Sequence, residues 1–204
     1  MTTYLHAVAS LDGYIADEND DVWSLHDWYF DGDQPILDEG SGFRVSAASA
    51  EYVRGIWERQ RVLVIGRHLF DMTDGWNGKP PAADHVIVVS HRPKPEGWHP
   101  EARYEFVASV EGALARAREL ADGGDIGVAA GDIGGQALRL GLIDHVAIDI
   151  VPVVFGSGKP YFGSFSGAHQ LLGEPEVVIP GKGVLHLRYP VRNGSADHSV
   201  TGAA

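Results

Sequence analysis

Short apolar runs that end in polar turns recur along this chain and alternate with helical patterns. The apolar runs predict strands over 4–9, 61–65, 85–89, 104–107, 126–129, 146–151 and 184–191, and the helical patterns cover 46–60, 109–121 and 132–140. Because parallel crossovers join strands that alternate with helices, this order predicts an α/β fold with a central, mostly parallel sheet. Short turns between the last strands add antiparallel pairing at the C-terminal edge of that sheet.

Residue preferences define two of the predicted helices more closely. Ser109 stands where a side-chain cap is expected for the helix over 109–121, and Gly123 and Gly124 close its end. The helix over 46–60 has one face that is predicted to meet the core, with the residues Ala50, Val53, Ile56, Trp57 and Gln60.

Two segments depart from this alternation. The stretch 17–42 is rich in Asp, Gly and aromatic residues without a clean period, and it predicts a long excursion over one mouth of the fold. Residues 194–204 are small and polar, which predicts a disordered tail. Since no linker or internal repeat divides the rest, we expect a single domain over 1–193.

The charge of the chain restricts its partners. With 16 basic and 28 acidic residues the formal net charge is −12, and such a surface repels nucleic acid and anionic lipid. No apolar run approaches the roughly 20 residues of a membrane span, and the first residues lack the pattern of a signal peptide. The sequence has no cysteine, which excludes disulfides and thiolate metal sites. We therefore expect a cytoplasmic protein without a nucleic-acid or membrane partner.

Polar turns follow three of the predicted strands: Gly66-Arg67-His68, Ser90-His91-Arg92 and Ala130-Gly131-Asp132-Ile133-Gly134. In an open α/β sheet, ligands bind beyond the carboxyl ends of the strands, so neighbouring turns would form one site. Glycines and free N–H groups at a helix start suit a pyrophosphate, and arginine forks match phosphate oxygens. The turns thus predict a site for a phosphorylated dinucleotide, with Arg67 and Arg92 on a ribose 2′-phosphate. The alternative is that they are ordinary corners with solvated side chains.

Three other residues each leave two interpretations open. Asp132 either repels a pyrophosphate at the third turn or caps the following helix with its carboxylate. Asp12 either orients substrate or cofactor or, with Gly13, forms a plain turn. Trp28 either stacks on a planar heterocycle or packs onto the core.

Several common motifs are incomplete or missing. Residues 156–159 resemble the end of a P-loop, but Val153 and Pro160 stand where that motif needs glycine and Ser or Thr. The absence of G-x-G-x-x-G disfavours a conventional Rossmann dehydrogenase. The ten histidines lack ligand spacing, so no metal site is predicted. No G-x-S-x-G supports a hydrolase.

In their order along the chain, these turns resemble the dihydrofolate reductase superfamily, over residues 4–189. The branch in question includes the C-terminal reductase domain of the bifunctional riboflavin-biosynthesis deaminase-reductase. The resemblance is carried by residues 10–16, Val64-Ile65-Gly66-Arg67-His68, Val88-Val89-Ser90-His91, Ala130-Gly131-Asp132, Gly141-Leu142-Ile143-Asp144, residues 152–158 and Tyr161-Phe162.

This resemblance implies a dihydrofolate-reductase-like three-layer fold, an NADPH cofactor across the strand ends, and a homodimer. It assigns cofactor binding to Gly66, Arg67, His68, Ser90, His91, Arg92, Ala130, Gly131, Asp132, Ile133 and Gly134. Asp12 is the predicted catalytic residue, and the residues predicted to contact a small-molecule substrate are Ser10, Trp28, Phe155 and Phe162.

The chain departs from the superfamily at the carboxylate that binds the substrate. Dihydrofolate reductases hold their pteridine with a carboxylate on the helix before the second strand, and the matching position falls at or near Ala50. Glu51 is adjacent but points to another face.

From the turns and the resemblance together we expect an NADPH-dependent reductase that transfers a hydride to C=N or C=O of a small, pteridine- or pyrimidine-like heterocycle. The alternatives are a nucleotide-binding module without turnover and a reductase that uses a flavin or deazaflavin.

Overall fold

The computed structural model describes residues 1–37, 40, 42–166 and 169–192. The tail predicted over 194–204 lies outside the described residues. The strands are β1 (Thr3–Ser10), β2 (Tyr14–Ala16), β3 (Gln34–Pro35), β4 (Arg44–Val45), β5 (Gln60–Gly66), β6 (His85–Val89), β7 (Tyr104–Val107), β8 (Asp125–Ala129), β9 (His145–Val151), β10 (Lys159–Pro160), β11 (Val177–Gly181) and β12 (Val184–Pro190). The α-helices are α1 (Ala47–Arg59), α2 (Arg67–Thr73), α3 (Val110–Leu120) and α4 (Asp132–Arg139), and two 3-10 segments cover Trp23–Tyr29 and Asp74–Gly78.

An eight-stranded sheet forms the centre, in the order β11-β12-β9-β1-β8-β5-β6-β7. The strands from β9 to β7 in this order pair in parallel. At the other edge, β12 pairs antiparallel with both β9 and β11. The predicted α/β class, the mostly parallel sheet and the antiparallel C-terminal edge are confirmed.

Alternation along the strands sends side chains to two helical layers. Val62 and Val64 of β5 pack with α3 and α4, whereas Ile65 packs with α2 on the other face. In β1, Leu5 belongs to the α3 and α4 side and Val8 to the α1 side. Because successive residues of a strand point to opposite faces, the sheet lies between two layers of helices, as the three-layer prediction states.

The sequence-based element limits hold closely, with one correction. Gln60 was predicted on the buried face of the first helix, but its backbone is extended and it begins β5. Pairing with Asp125 of β8 starts at this residue, so strand pairing overrides the helical period there. The predicted cap at Ser109 is confirmed, since its side chain accepts a hydrogen bond from the N–H of Gly112.

A buried polar network joins the sheet to α1. The carboxylate of Asp149 in β9 is 1% exposed and contacts the Nε2 of His6 at 3.0 Å and the Nδ1 of His186 at 2.6 Å. The other ring nitrogen of His186 lies 2.9 Å from the hydroxyl of Ser49 in α1. Burial alone would raise the pKa of Asp149, but the charge of His6 and the hydrogen bonds from both histidines outweigh it and lower the pKa to about 2. The network therefore stabilises an ionised carboxylate inside the protein.

Close backbone contacts fix α4 against the segment after β10. A Cβ atom at Gly135 would overlap the carbonyl oxygen of Phe162, and one at Gly163 would lie 2.5 Å from the backbone nitrogen of Asp132. By contrast, a Cβ atom at Gly55 in α1 would meet nothing within 4 Å. Glycine is thus required by packing in α4 but not in α1.

We expect Asp149→Asn to lower the free energy of unfolding by about 3 kcal/mol at neutral pH. The substitution removes the negative charge that the ring nitrogens of His6 and His186 contact, and breaking a buried ion pair in this way is strongly destabilising. The folded-state pKa of Asp149 is depressed, so its contribution is present above the unfolded value of about 3.9 and is lost as pH falls through the folded value. Urea unfolding at several pH values measures both effects. Asp31→Asn, at a pair with Lys182 in which both side chains are 62% exposed, should cost less than about 1 kcal/mol. Equal losses in the two variants would contradict a stabilising role for the network.

Two glycine substitutions in helices should have opposite signs. Gly135→Ala forces the backbone of α4 away from Phe162 and should destabilise the protein by about 1–3 kcal/mol. Gly55→Ala should stabilise it by about 0.5–1 kcal/mol, since alanine is the better helix former and has free space there. Urea unfolding of both variants checks the packing, and a stabilised Gly135→Ala variant would refute it.

Candidate functional site

The three predicted turns emerge from neighbouring strands. In the sheet, β8, β5 and β6 are adjacent and parallel, with Val64 level with Val128 and Gly66 level with Val89. Their carboxyl ends therefore lie at the same edge of the sheet, one strand spacing apart. The structure brings together the turns that start at Gly66, Ser90 and Ala130.

Direct contacts join these turns. A Cβ atom at Gly66 would lie 3.6 Å from Cγ2 of Ile133, so the first and third turns touch. The Nη1 of Arg67 donates to the carbonyl oxygen of Pro93 at 3.2 Å, which links the first turn to the second. The edge of the sheet thus presents one continuous surface.

Two arginines of this surface share one carboxylate. Asp71 in α2 accepts from the Nε of Arg67 at 2.7 Å and from the Nη2 of Arg92 at 2.8 Å. The guanidinium carbon of Arg67 also lies 5.4 Å from the ring centre of Phe70 and 5.8 Å from that of Phe106. Hydrogen bonds from Arg67, and secondly from Arg92, lower the pKa of Asp71. The arginines predicted for a 2′-phosphate are therefore adjacent.

The remaining polar residues of the first two turns have separate partners. Ser90 closes its turn, because its Oγ donates to the carbonyl oxygen of Arg92 at 2.8 Å and accepts from the N–H of Arg92 at 2.9 Å. His91 is exposed. The Nε2 of His68 lies 2.9 Å from the carboxylate of Asp20, which Lys159 also approaches at 3.5 Å. His68 thus connects α2 to the segment that follows β2.

The third turn contains a glycine with a positive φ, and the absence of a side chain there leaves room for a ligand to approach the backbone. Gly131 has φ +92, which L side chains rarely adopt, and it precedes the first residue of α4. The N–H of Gly131 donates to the carbonyl oxygen of Tyr161 at 2.8 Å. The N–H groups of Asp132, Ile133 and Gly134 follow at the start of α4, where backbone donors have no partner within a helix. Ala130 packs against the core beside them.

The carboxylate of Asp132 does not cap α4. The N-cap is Gly131, which has no side chain to accept a hydrogen bond. Asp132 lies inside the first turn, and its Oδ1 accepts from the N–H of Ser164 at 2.8 Å. The capping interpretation is wrong because the carboxylate is used to hold the neighbouring segment.

Asp12 joins two turns at the ends of β1 and β9. Its carboxylate accepts from the hydroxyl of Ser10 at 2.6 Å, from the N–H of Gly156 at 2.7 Å and from the N–H of Phe155 at 3.2 Å. The hydrogen bond from Ser10, followed by those from Gly156 and Phe155, lowers the pKa of Asp12. The group is therefore ionised at neutral pH and is well suited to positioning.

The other residues predicted to contact substrate lie in different environments. Trp28 is 3% exposed and stacks on Tyr29 with ring centres 3.8 Å apart, which is the core packing that the sequence leaves open. Phe155 packs partly against the cluster that contains Trp28. Phe162 packs partly on the α4 side, against the ring of Tyr161. The backbone N–H of Phe155 contacts Asp12 directly, and Phe162 follows Tyr161, whose N–H donates to the carbonyl oxygen of Gly13 at 2.8 Å.

Sequence reasoning missed His6. This residue is level with Ala129 at the end of β8, so it lies beside the glycine-rich turn. Its side chain is 20% exposed, and its Nε2 contacts the buried Asp149. Polar residues inside the apolar strands β1, β9 and β12 are the signal that would have identified the network. Because His6, Asp149 and His186 are far apart in sequence, only the sheet order shows that they meet.

The described residues fit a phosphorylated dinucleotide. Gly131, with φ +92, and the start of α4 lie beside the end of β5, and one arginine follows each of β5 and β6 in a protein of formal net charge −12. Within the described part of the chain, no group of three or more His, Asp or Glu side chains could hold a metal ion. No helix in the same part is long and apolar enough to cross a membrane.

A cavity of about 310 Å³ lies elsewhere. Gln60 and Arg61 at the start of β5, and Asp84 just before β6, line it together with Trp57 and Pro80. These residues are at the amino ends of the strands whose carboxyl ends form the candidate site. The convergence of polar groups, rather than this cavity, therefore identifies the site.

No protein-family model matches this chain, and no curated protein matches it. Solved structures do. A putative riboflavin biosynthesis protein from Shewanella sp. PV-4 aligns with a TM-score of 0.67 and 22% identity over 95% of this chain and 100% of the other. A diaminohydroxyphosphoribosylaminopyrimidine deaminase/5-amino-6-(5-phosphoribosylamino)uracil reductase from Thermotoga maritima gives a TM-score of 0.57 and 15% identity over 94% of this chain and 56% of the other.

A third similar structure is dihydrofolate reductase from Enterococcus faecalis in complex with NADP(H) and RAB-propyl. It aligns with a TM-score of 0.54 and 16% identity, over 94% of this chain and 97% of the other. At these identities the similarity concerns the fold, and it agrees with the order of strands and helices described above. The chain therefore has a dihydrofolate-reductase-like fold, which it shares with proteins of the riboflavin-biosynthesis branch.

Proposed function

We propose that this protein is an NADPH-dependent reductase that transfers a hydride to C=N or C=O of a small planar heterocycle, pteridine- or pyrimidine-like. The observation that carries the proposal is the convergence of three strand-end turns, in which Arg67 and Arg92 share one carboxylate 2.7 and 2.8 Å away. The similarity to a uracil reductase and to a dihydrofolate reductase supports the reaction type.

Each turn has a distinct proposed role toward the cofactor. The N–H groups at the start of α4 receive the pyrophosphate, since the amino end of a helix favours anions. Arg67 and Arg92 bind the 2′-phosphate through charge-assisted hydrogen bonds. Ser90 fixes the backbone of the Arg92 turn, and His68 contributes from the start of α2. When bound, NADPH would supply the hydride.

The substrate is proposed to lie beside the carboxyl half of β1, between His6, level with the end of β8, and the ends of β1 and β9. Ser10 and Phe155 belong to the junction that Asp12 holds together, and Phe162 closes the α4 side. Trp28 supports this region from the core. Residues 17–37 cover the substrate and exclude water, so that orientation contributes to the rate.

Reduction of C=N or C=O also needs a proton. Asp12 is ionised and already accepts three hydrogen bonds, which suits it to holding the two turns in place. We propose instead that His6 donates the proton, because its ring is partly exposed, lies level with the end of β8 and is oriented by Asp149. A positioned donor typically accelerates such a step by about 10²–10⁴-fold.

Thermal and urea unfolding with NADPH, NADH or no ligand test the cofactor. NADPH at about 100 times its dissociation constant should stabilise the fold by about 2.7 kcal/mol. Arg67→Ala should reduce NADPH affinity about tenfold or more while changing NADH affinity little, because it removes a charged partner of the 2′-phosphate. Arg118→Ala, at an exposed position in α3, is the matched control and should bind like the wild type. The absence of stabilisation by either nucleotide would overturn the proposal.

Consumption of NADPH absorbance with pterins, pyrimidines and quinones tests the reaction and its proton donor. With the acceptor that is reduced fastest, His6→Gln should lower the rate about 10²-fold or more while NADPH still stabilises the variant. Asp12→Asn retains an acceptor oxygen and should lower the rate far less. A larger loss in Asp12→Asn would return the donor role to Asp12. Nucleotide binding without turnover of any acceptor would favour a binding module.

A further inference from the structure

Asp71 occupies the hydrogen-bonding positions between the two arginines that the proposed function assigns to a phosphate. One oxygen accepts from Arg67 and the other from Arg92, so the carboxylate bridges both guanidinium groups. Its side chain is 41% exposed, which places it at the surface where a ligand would arrive. A phosphate that bound both arginines would compete with Asp71 for the same N–H groups.

Other contacts already orient the side chain of Arg67 and fix the backbone of Arg92. Arg67 is 17% exposed, lies over the rings of Phe70 and Phe106 and donates to Pro93. The backbone of Arg92 is fixed because its N–H and carbonyl both hydrogen-bond to the hydroxyl of Ser90. The position of the Arg67 guanidinium therefore does not depend on Asp71 alone, whereas the Arg92 guanidinium, 65% exposed, contacts Asp71 from a fixed backbone.

The charges around the pair indicate what Asp71 does. Two guanidinium groups and one carboxylate leave a single net positive charge to balance a phosphate monoester, which carries about −1.5 to −2 at neutral pH. The carboxylate of Asp71 and a bound phosphate are both negative, so they repel one another where they share the arginine N–H donors. This repulsion is local because exposed charges are screened over about 8–10 Å. A dinucleotide without the 2′-phosphate would leave the Asp71 bridge in place.

We propose that Asp71 is an internal competitor for the 2′-phosphate and sets how strongly the site prefers NADPH over NADH. This inference rests on the proposed function, since it concerns the affinity of the same site. Asp71 lowers the affinity for NADPH selectively, and each binding event exchanges a carboxylate for a phosphate on the arginine pair. Removal of the charge therefore increases the preference for NADPH.

The experiment compares Asp71→Asn with Asp84→Asn by nucleotide fluorescence and thermal unfolding. Asparagine keeps an oxygen that accepts from an arginine but removes the negative charge. Asp84 also pairs with an exposed arginine, Arg61 at 3.2 Å, but lies before β6 at the opposite end of the strands. Both variants therefore change the net charge equally, and only one changes it at the candidate site.

Asp71→Asn should bind NADPH about tenfold more tightly, while NADH affinity stays within about twofold, because only NADPH carries the charge that Asp71 repels. Adenosine 2′,5′-bisphosphate, which contains the 2′-phosphate without the nicotinamide, should show the same gain. Asp84→Asn should behave like the wild type. Added salt should reduce the gain, since it screens exposed charges. Urea unfolding confirms that both variants are folded.

Three results would overturn the inference. Weaker NADPH binding in Asp71→Asn would mean that the carboxylate braces the arginines. An equal gain in affinity for NADPH and NADH, or an equal gain in NADPH affinity in Asp84→Asn, would mean that the gain comes from the net charge of the protein. If the wild type binds neither nucleotide, the proposed function fails first, whereas failure of the inference alone leaves NADPH binding by the wild type intact.

Discussion

Parallel pairing of β8, β5 and β6 determines where the polar groups of the candidate site lie. Since Gly66 is level with Val89, and Val64 with Val128, three turns far apart in sequence leave the sheet at one edge. Each turn alone is an ordinary way to end a strand. The register brings the three turns together, because a displacement of one strand by a few residues would separate the arginines from the start of α4.

At this edge of the sheet, a protein that is acidic overall carries several basic side chains close together. Arg67 and Arg92 share Asp71, whereas His68 and Lys159 share Asp20. Arg67, Arg92 and Lys159 are therefore each partly neutralised by a carboxylate, and an anionic ligand must compete with these carboxylates for donors. Such a surface discriminates among anions more than it attracts them, since repulsion from the wrong partner contributes to specificity as much as attraction to the right one.

Much of the fold was predictable because it depends on local patterns. The runs over 85–89 and 104–107 match β6 and β7 residue for residue, and the cap at Ser109 follows from residue type. The turns were predictable for the same reason. Contacts between distant segments were not: no local pattern indicates that Asp12 binds the N–H of Gly156, or that Asp132 binds that of Ser164. Gln60 shows the limit, because pairing with a distant strand decided its conformation.

The buried network places a carboxylate in the sheet, whereas the helix before β5 lacks the one that dihydrofolate reductases use to hold a pteridine. The resemblance to dihydrofolate reductases leads us to expect a carboxylate at or near Ala50 in the helix before β5, and Ala50 is 2% exposed. A carboxylate is present instead on the sheet, as Asp149, and two histidines hold it ionised at a site where burial opposes the charge. Asp149 cannot meet a substrate itself, since it is 1% exposed. His6 extends the network towards the surface beside the end of β8, where its ring is 20% exposed. The buried charge would then act through the residue that it orients.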